Sequence, residues 1–460
     1  MTRNPILITN GRVLIAKSLV DTDILIESGK FKKFGTHLES NLDNLEIINA
    51  EGKIVFPGII DSHTHFALQQ GNFKTSDDFS SGSKSALFGG VVFFIDYTMQ
   101  IKGETIQDSI DRRLNEAKNN SYIDYSFHLG ITDWKESTYT EALNLSNSGF
   151  PSFKMFLIYG DKGWLSEDSA IFDALSRLST KGAIIEVHCE NDAIIKLLTQ
   201  RLVKENHITV KYHPLSRPKF IEGEAINRMV YLNRFAKGKL YIVHISSLLG
   251  AEIIKNAKSN GINVLAETCP QYLTLNQEVF TGQSPELFAT CPPVRTDDDI
   301  KILWQMIDQE IFDVIATDHC AFSKAQKAEG KNDFRTMAFG IPGVEYSFPI
   351  IFTEGHLKRK IELYKIAKVM CENPARIFGL IGRGKIKEGY NADLLIFDPE
   401  KKHILSSKTQ QHPSDYCPYE GKEVYGVPET VIANGEVKIK DFKLLGKKNG
   451  EFTKRFINTN

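Results

Sequence analysis

Several absences narrow the class of this chain. It has no excess of charge: 56 Lys and Arg stand against 57 Asp and Glu over 460 residues. A near-neutral chain leaves no electrostatic footprint for nucleic acid or an anionic membrane surface. No apolar run approaches the roughly 18 residues that a membrane span requires. No apolar stretch follows Met1-Thr2-Arg3-Asn4-Pro5, so no secretory leader is expected. Cysteines are few. Cys189, Cys269, Cys291, Cys320, Cys371 and Cys417 form no Cys-x-x-Cys pair and lack the spacing of a disulfide scaffold. Reduced thiols in a cytoplasmic protein are the expectation.

What is present is an ordinary globular composition, 42% hydrophobic and 25% charged. Residues 1–56 read as short strands: Ile6-Leu7-Ile8, Arg12-Val13-Leu14-Ile15 and Asp23-Ile24-Leu25-Ile26. Asn10-Gly11 and Glu27-Ser28-Gly29-Lys30 read as turns. From Ile54 short apolar runs alternate with helical patterns such as Thr105–Ala117, Asp168–Ser179 and Gly250–Lys258. The runs are Ile54–Phe56, Val91–Ile95, Tyr125–Leu129, Phe153–Leu157, Ala183–His188, Leu240–His244, Asn263–Ala266 and Phe312–Asp318. Eight such units predict an α/β fold with a (β/α)8 TIM-type barrel over residues 57–379. Strand texture returns in 380–440, at Ala392–Phe397 and in a hairpin over Glu429–Val437. Both chain ends are therefore expected to build one small β-sandwich. The tail, 441–460, carries Lys447, Lys448, Lys454 and Arg455 and reads as either a solvated end or an arm that packs on another subunit.

The chemistry-bearing residues sit where barrel strands end. The first carries Asp61-Ser62-His63-Thr64-His65, and residues two apart on an extended segment point the same way. Lys154 lies on the fourth run, His188 ends the fifth, His244 ends the sixth, and Asp318-His319 end the eighth. A lone histidine ending a strand is usually a hydrogen-bonded structural residue. Four histidines, a lysine and an aspartate converging from five strands are not explained that way, because barrel active sites gather at this face. Imidazole and carboxylate without thiolate suit zinc, and also manganese or iron. The ligands are enough for two metals if an oxygen bridges them. Lys154 is the oddity, since an ammonium beside two cations is repelled. Forced neutral, it becomes reactive, and a carbamate formed with CO2 would supply the anionic oxygen bridge.

These residues lie in segments that resemble the amidohydrolase superfamily and, within it, the dihydropyrimidinase and hydantoinase family of cyclic amidases. The matching stretches are Pro57–His65, Ser152–Tyr159, Glu186–Asn191, His213–Pro218, Tyr241–Ser247, Glu267–Leu273, Thr317–Cys320 and Gly384–Leu394. The resemblance implies that His63, His65 and Asp318 hold one metal, that His188 and His244 hold the other, and that Lys154 is the carbamylated bridge. It places Tyr159 near the substrate carbonyl. It also implies that main-chain groups around Cys291 and Phe339, positions usually Ser and Asn, hold the ring. The loop after His65 is more polar than in the family, and Ala67 stands where dihydroorotases usually carry Arg.

The activity implied is hydrolysis of the amide bond of a dihydropyrimidine or hydantoin ring. A metal-bridging hydroxide would attack, with Asp318 as base and then acid, and the product would be an N-carbamoyl amino acid. Allantoinase or another cyclic imide hydrolase is the alternative. Non-catalytic assembly scaffolds of this fold typically lack several ligands, and every ligand position is filled here. A small-molecule substrate and a homotetramer or homodimer are the implied partners, with no nucleic acid or membrane.

Overall fold

The computed structural model describes residues 4–40 and 42–457. The first three residues of segment 1–56 and the last three of the tail lie outside the described residues. Eight parallel strands, Ile59–Thr64, Val91–Met99, Asp124–Gly130, Ser152–Phe156, Ile184–His188, Lys239–Ile242, Val264–Thr268 and Val314–Ile315, follow one another in sheet order. A parallel bridge between Thr64 and His319 brings the last strand back to the first. The His65 N–H donates to the His319 carbonyl at 2.8 Å across the same seam. Helices alternate with the strands, giving the expected TIM-type barrel. Helix starts follow local chemistry: Thr105 caps Ile106–Ala117 in a reciprocal capping box with Asp108. Among the described residues no helix is long and apolar enough to cross a membrane.

The first barrel strand departs from the sequence expectation. Ile54–Pro57 does not enter the barrel. It pairs in parallel with Arg12 and Val13 and antiparallel with Leu394–Phe397, inside a nine-stranded mixed sheet made from both chain ends. Gly58 is the hinge between the two sheets, where a Cβ would meet Val92 side-chain atoms at 2.4 Å. Asn10-Gly11 is likewise not a turn between two strands. Ile6–Ile15 is continuous, with a bulge between Ile8 and Gly11. Asn10 has a φ of 59° and its N–H is held by Asp23 Oδ1 at 3.0 Å. A bulge absorbs the left-handed residue without ending the ladder. The expected hairpin near the C-terminus forms as Thr430–Ala433 and Glu436–Lys440.

The described tail keeps much of its length exposed and also packs on its own chain. It runs beneath the barrel of its own chain. The Tyr125 N–H donates to the Glu451 carbonyl, the Thr453 N–H donates to the Tyr125 carbonyl, and Phe452 stacks on Phe127 and Phe150. Arg455 is fully buried and donates to the hydroxyls of Ser126 and Ser152 and to the Phe127 carbonyl.

Candidate active site

At the C-terminal mouth of the barrel the six predicted ligand residues come together. The spacing of His63 and His65 does aim both rings one way: each Nε2 lies against Asp318 Oδ1, at 3.2 and 3.1 Å. On the opposite side His188 and His244 face each other with ring centroids 4.4 Å apart, and His63 lies 5.6 Å from His244. Lys154 enters from below. Its Nζ is buried and has no hydrogen-bond partner among the described residues. Burial lowers its pKa, against the pull of Glu186, Glu267 and Asp318.

The backbone is strained where these groups sit. Tyr159, His244 and Asp318 have φ values of 68°, 39° and 51°. Left-handed conformations of non-glycine residues cost energy and cluster at functional sites.

Carboxylates behind the histidines decide which nitrogen faces the cavity. Glu267 Oε1 lies 2.7 Å from His63 Nδ1 and accepts the His244 N–H at 3.0 Å. Its other oxygen accepts the Tyr241 hydroxyl at 2.8 Å. Glu190 binds His188 Nε2 at 2.9 Å and is itself held by Arg217 at 2.8 Å. His63 is thereby left with Nε2 for an ion and His188 with Nδ1, the usual arrangement for imidazole ligands. Sequence reasoning assigned no role to Glu267 or Glu190. The available signal was a carboxylate within the otherwise apolar strand Val264–Thr268.

Without an ion, burial works against charge on His63, but Glu267 and Asp318 outweigh it and carry the ring up to about 10. Burial also opposes ionisation of Asp318. His63 and His65 overcome it and hold the carboxyl well below its ordinary value. His188 and His244 are shifted the other way from His63, with burial as the main cause, so they stay neutral donors. The donor set of four imidazoles, one carboxylate and a buried amine fits a pair of divalent ions.

Tyr159 lines the same cavity, its ring 5.4 Å from that of His188. Burial raises its phenol well above the ordinary value, so it remains a donor. Leu68, Met99, Phe156 and Trp164 give the cavity apolar walls. Cys291 and Phe339 line it as well. The Phe339 N–H donates to Gln70 Oε1 at 3.3 Å, so this donor is engaged by the loop after His65.

A second group of ligand-type residues, Asp77, His319 and His412, is completely enclosed. Its hydrogen bonds exclude an ion. His319 Nδ1 accepts the N–H groups of Gly343 and Val344, at 3.0 and 3.1 Å, and His412 Nδ1 accepts that of Ser414 at 3.0 Å. Main-chain N–H groups can only donate, so both rings carry their proton on Nε2. Those Nε2 atoms, 3.1 Å apart, face Asp77 Oδ2 at 3.0 and 3.8 Å and have no lone pair for a metal. The group is a hydrogen-bonded post fixing the segment around His412 behind Asp318.

Comparison with known proteins agrees with this geometry. Residues 54–438 match the model of the amidohydrolase family. The chain is 35% identical over 455 residues to the D-hydantoinase of Geobacillus stearothermophilus, covering 98% of this chain and 96% of that protein. It is 35% identical to the D-phenylhydantoinase of Escherichia coli O1:K1 / APEC, covering 98% of both. The crystal structure of dihydropyrimidinase from Brevibacillus agri NCHU1002 superposes with a TM-score of 0.96 at 32% identity, over 99% of this chain and 100% of that one. The convergence of these ligands on one barrel mouth and the full-length likeness together place the chain in the amidohydrolase family, among the hydantoinases and dihydropyrimidinases.

Proposed function

We propose that this chain is a hydrolase that opens cyclic ureides, dihydropyrimidines or hydantoins, to N-carbamoyl amino acids. The observation that carries the reading is Lys154: a buried, unpartnered amine placed among two histidine pairs and an aspartate. His63, His65 and Asp318 would hold one divalent ion, His188 and His244 a second, and carbamylated Lys154 would bridge them. Zinc suits these ligands best. When bound, the ions supply an acidified water and a polarised carbonyl.

The chain's own groups do the rest. Asp318 is ionised and takes the proton released by the attacking water. It then returns that proton to the departing ring nitrogen, acting as base and then acid. The Tyr159 hydroxyl, kept protonated by burial, donates to the oxygen on which charge develops. This form of stabilisation is usually the largest single contribution to amide cleavage. Main-chain groups near Cys291 and Phe339 hold the ring, which requires Gln70 to yield the Phe339 N–H.

The reading extends to a homotetramer or homodimer in the cytoplasm. Six buried, unpaired thiols support a reducing compartment. Exposed Leu215, Phe220, Tyr231 and Phe235 supply an apolar face for self-association.

The test is elemental analysis of the purified protein together with hydrolysis of dihydrouracil, hydantoin, 5-substituted hydantoins and allantoin. About two ions per chain with opening of a dihydropyrimidine or hydantoin ring is expected from a paired site. Preference for allantoin would move the substrate. No ion and no turnover after addition of zinc and bicarbonate would overturn the hydrolase reading in favour of a scaffold.

A further inference from the structure

A second chamber, of about 580 Å³, adjoins the catalytic cavity, and Tyr159 and Phe339 line both. Its walls carry five cations, Lys162, Lys196, Lys204, Arg217 and Arg335, against two carboxylates, Asp161 and Asp192. Three of the cations are already paired: Lys196 with Asp192, Arg217 with Glu190 and Arg335 with Asp333. Among the described residues no carboxylate lies within ion-pair distance of Lys162 or Lys204.

Of the two cations without an ion-pair partner, Lys162 lies against the aromatic wall shared with the catalytic cavity. Its ammonium lies over the Tyr159 ring at 4.8 Å and over the Trp164 ring at 5.4 Å. Those two rings meet edge to face at 5.7 Å, and both belong to the wall of the catalytic cavity. A flexible lysine that covers two aromatic faces is partly fixed before any ligand arrives, and Asp161 acts on it only from beyond ion-pair distance. The Tyr159 ring in turn lies 5.4 Å from the ring of His188. Met99, Phe156 and Trp164 give the catalytic cavity an apolar wall, and Trp164 carries that wall up to this ammonium.

We propose that the preferred substrate carries a carboxylate on a short carbon arm, and that Lys162 receives it at the entrance to the second chamber. The inference rests on the cyclic-ureide reading and adds the class of substituent.

The test compares 5-(2-carboxyethyl)hydantoin with 5-(2-carbamoylethyl)hydantoin, which have the same shape and differ in charge. For a partly screened ion pair, wild-type kcat/KM is expected to be about fivefold higher for the acid. The advantage should shrink as salt is added. Lys162→Met should bring the acid-to-amide ratio to about one. Equal or faster hydrolysis of the amide by the wild type would overturn the proposal, as would a ratio unchanged in the variant. Binding of both compounds is followed in parallel by quenching of tryptophan fluorescence. If neither ring opens, the hydrolase reading fails on its own. Tighter binding of the acid by wild type, lost in Lys162→Met, would still sustain the anionic subsite, and equal binding would remove it.

Discussion

Glu267 Oε1 lies 2.7 Å from His63 Nδ1, buried at the base of the barrel mouth. This contact turns the His63 Nε2 toward the cavity, where it lies 3.2 Å from Asp318 Oδ1, and the same Glu267 oxygen fixes the His244 main chain at 3.0 Å. One carboxylate therefore orients a residue from each of the two proposed ion sites.

Glu267→Gln should keep the fold but weaken ion binding about 10- to 100-fold, the usual consequence of losing the partner of a liganding histidine. Competition with a chelator of known affinity measures it. Unchanged affinity would remove Glu267 from the site.

Lys154→Ala should lose the paired ions and ring-opening activity together, because the bridge goes with the amine. Elemental analysis and turnover are read on the same sample. A variant that retains two ions and the wild-type rate would sink the carbamate proposal. Dialysis against CO2-free buffer with chelator should likewise inactivate the wild type, and bicarbonate with zinc should restore it.

The post formed by Asp77, His319 and His412 should behave as a structural element. His412→Ala leaves buried hydrogen-bonding groups without partners and should cost about 1–3 kcal/mol of stability. Ion stoichiometry should not change. Denaturant titration and elemental analysis check the two halves, and loss of an ion would contradict the tautomer assignment.

Lys327 provides a pH signature. It is fully buried, and its Nζ donates to the Ala289 carbonyl at 3.0 Å. Burial lowers its pKa from 10.5 to about 7. Between those values the unfolded chain binds a proton that the folded protein does not, so this residue makes stability rise with pH. Its contribution approaches about 1.4 kcal/mol per pH unit. Below about 7 both states are protonated and the dependence disappears. Lys327→Met should abolish this slope. Unfolding midpoints of both proteins from pH 6 to 9 give the comparison, and parallel profiles would refute it.

Much of the site was legible in the chain because each ligand lies at or near the end of an apolar run. The strand period fixed the common direction of His63 and His65. The barrel rule fixed the face to which His188, His244 and Asp318 belong. The spatial partners were not legible. Glu267 is 204 positions from His63, and no local pattern connects them. Loop conformation was also hidden: Tyr159 has a left-handed backbone that its residue type disfavours.

By itself the sequence determined the (β/α)8 plan, the joining of both chain ends in one sheet and which residues meet at the barrel mouth. These follow from hydrophobic periodicity and strand-end placement, which are local properties. Only the tertiary structure decided that Ile54–Pro57 belongs to the outer sheet and that Arg455 is buried beneath the barrel. It alone separated an ion-ready histidine pair at His63 and His65 from the proton-bearing pair at His319 and His412. The physical reason is common to all three. An apolar run does not specify which sheet will cover it, and an imidazole does not specify which nitrogen is free. Both are settled by groups that arrive from distant parts of the chain.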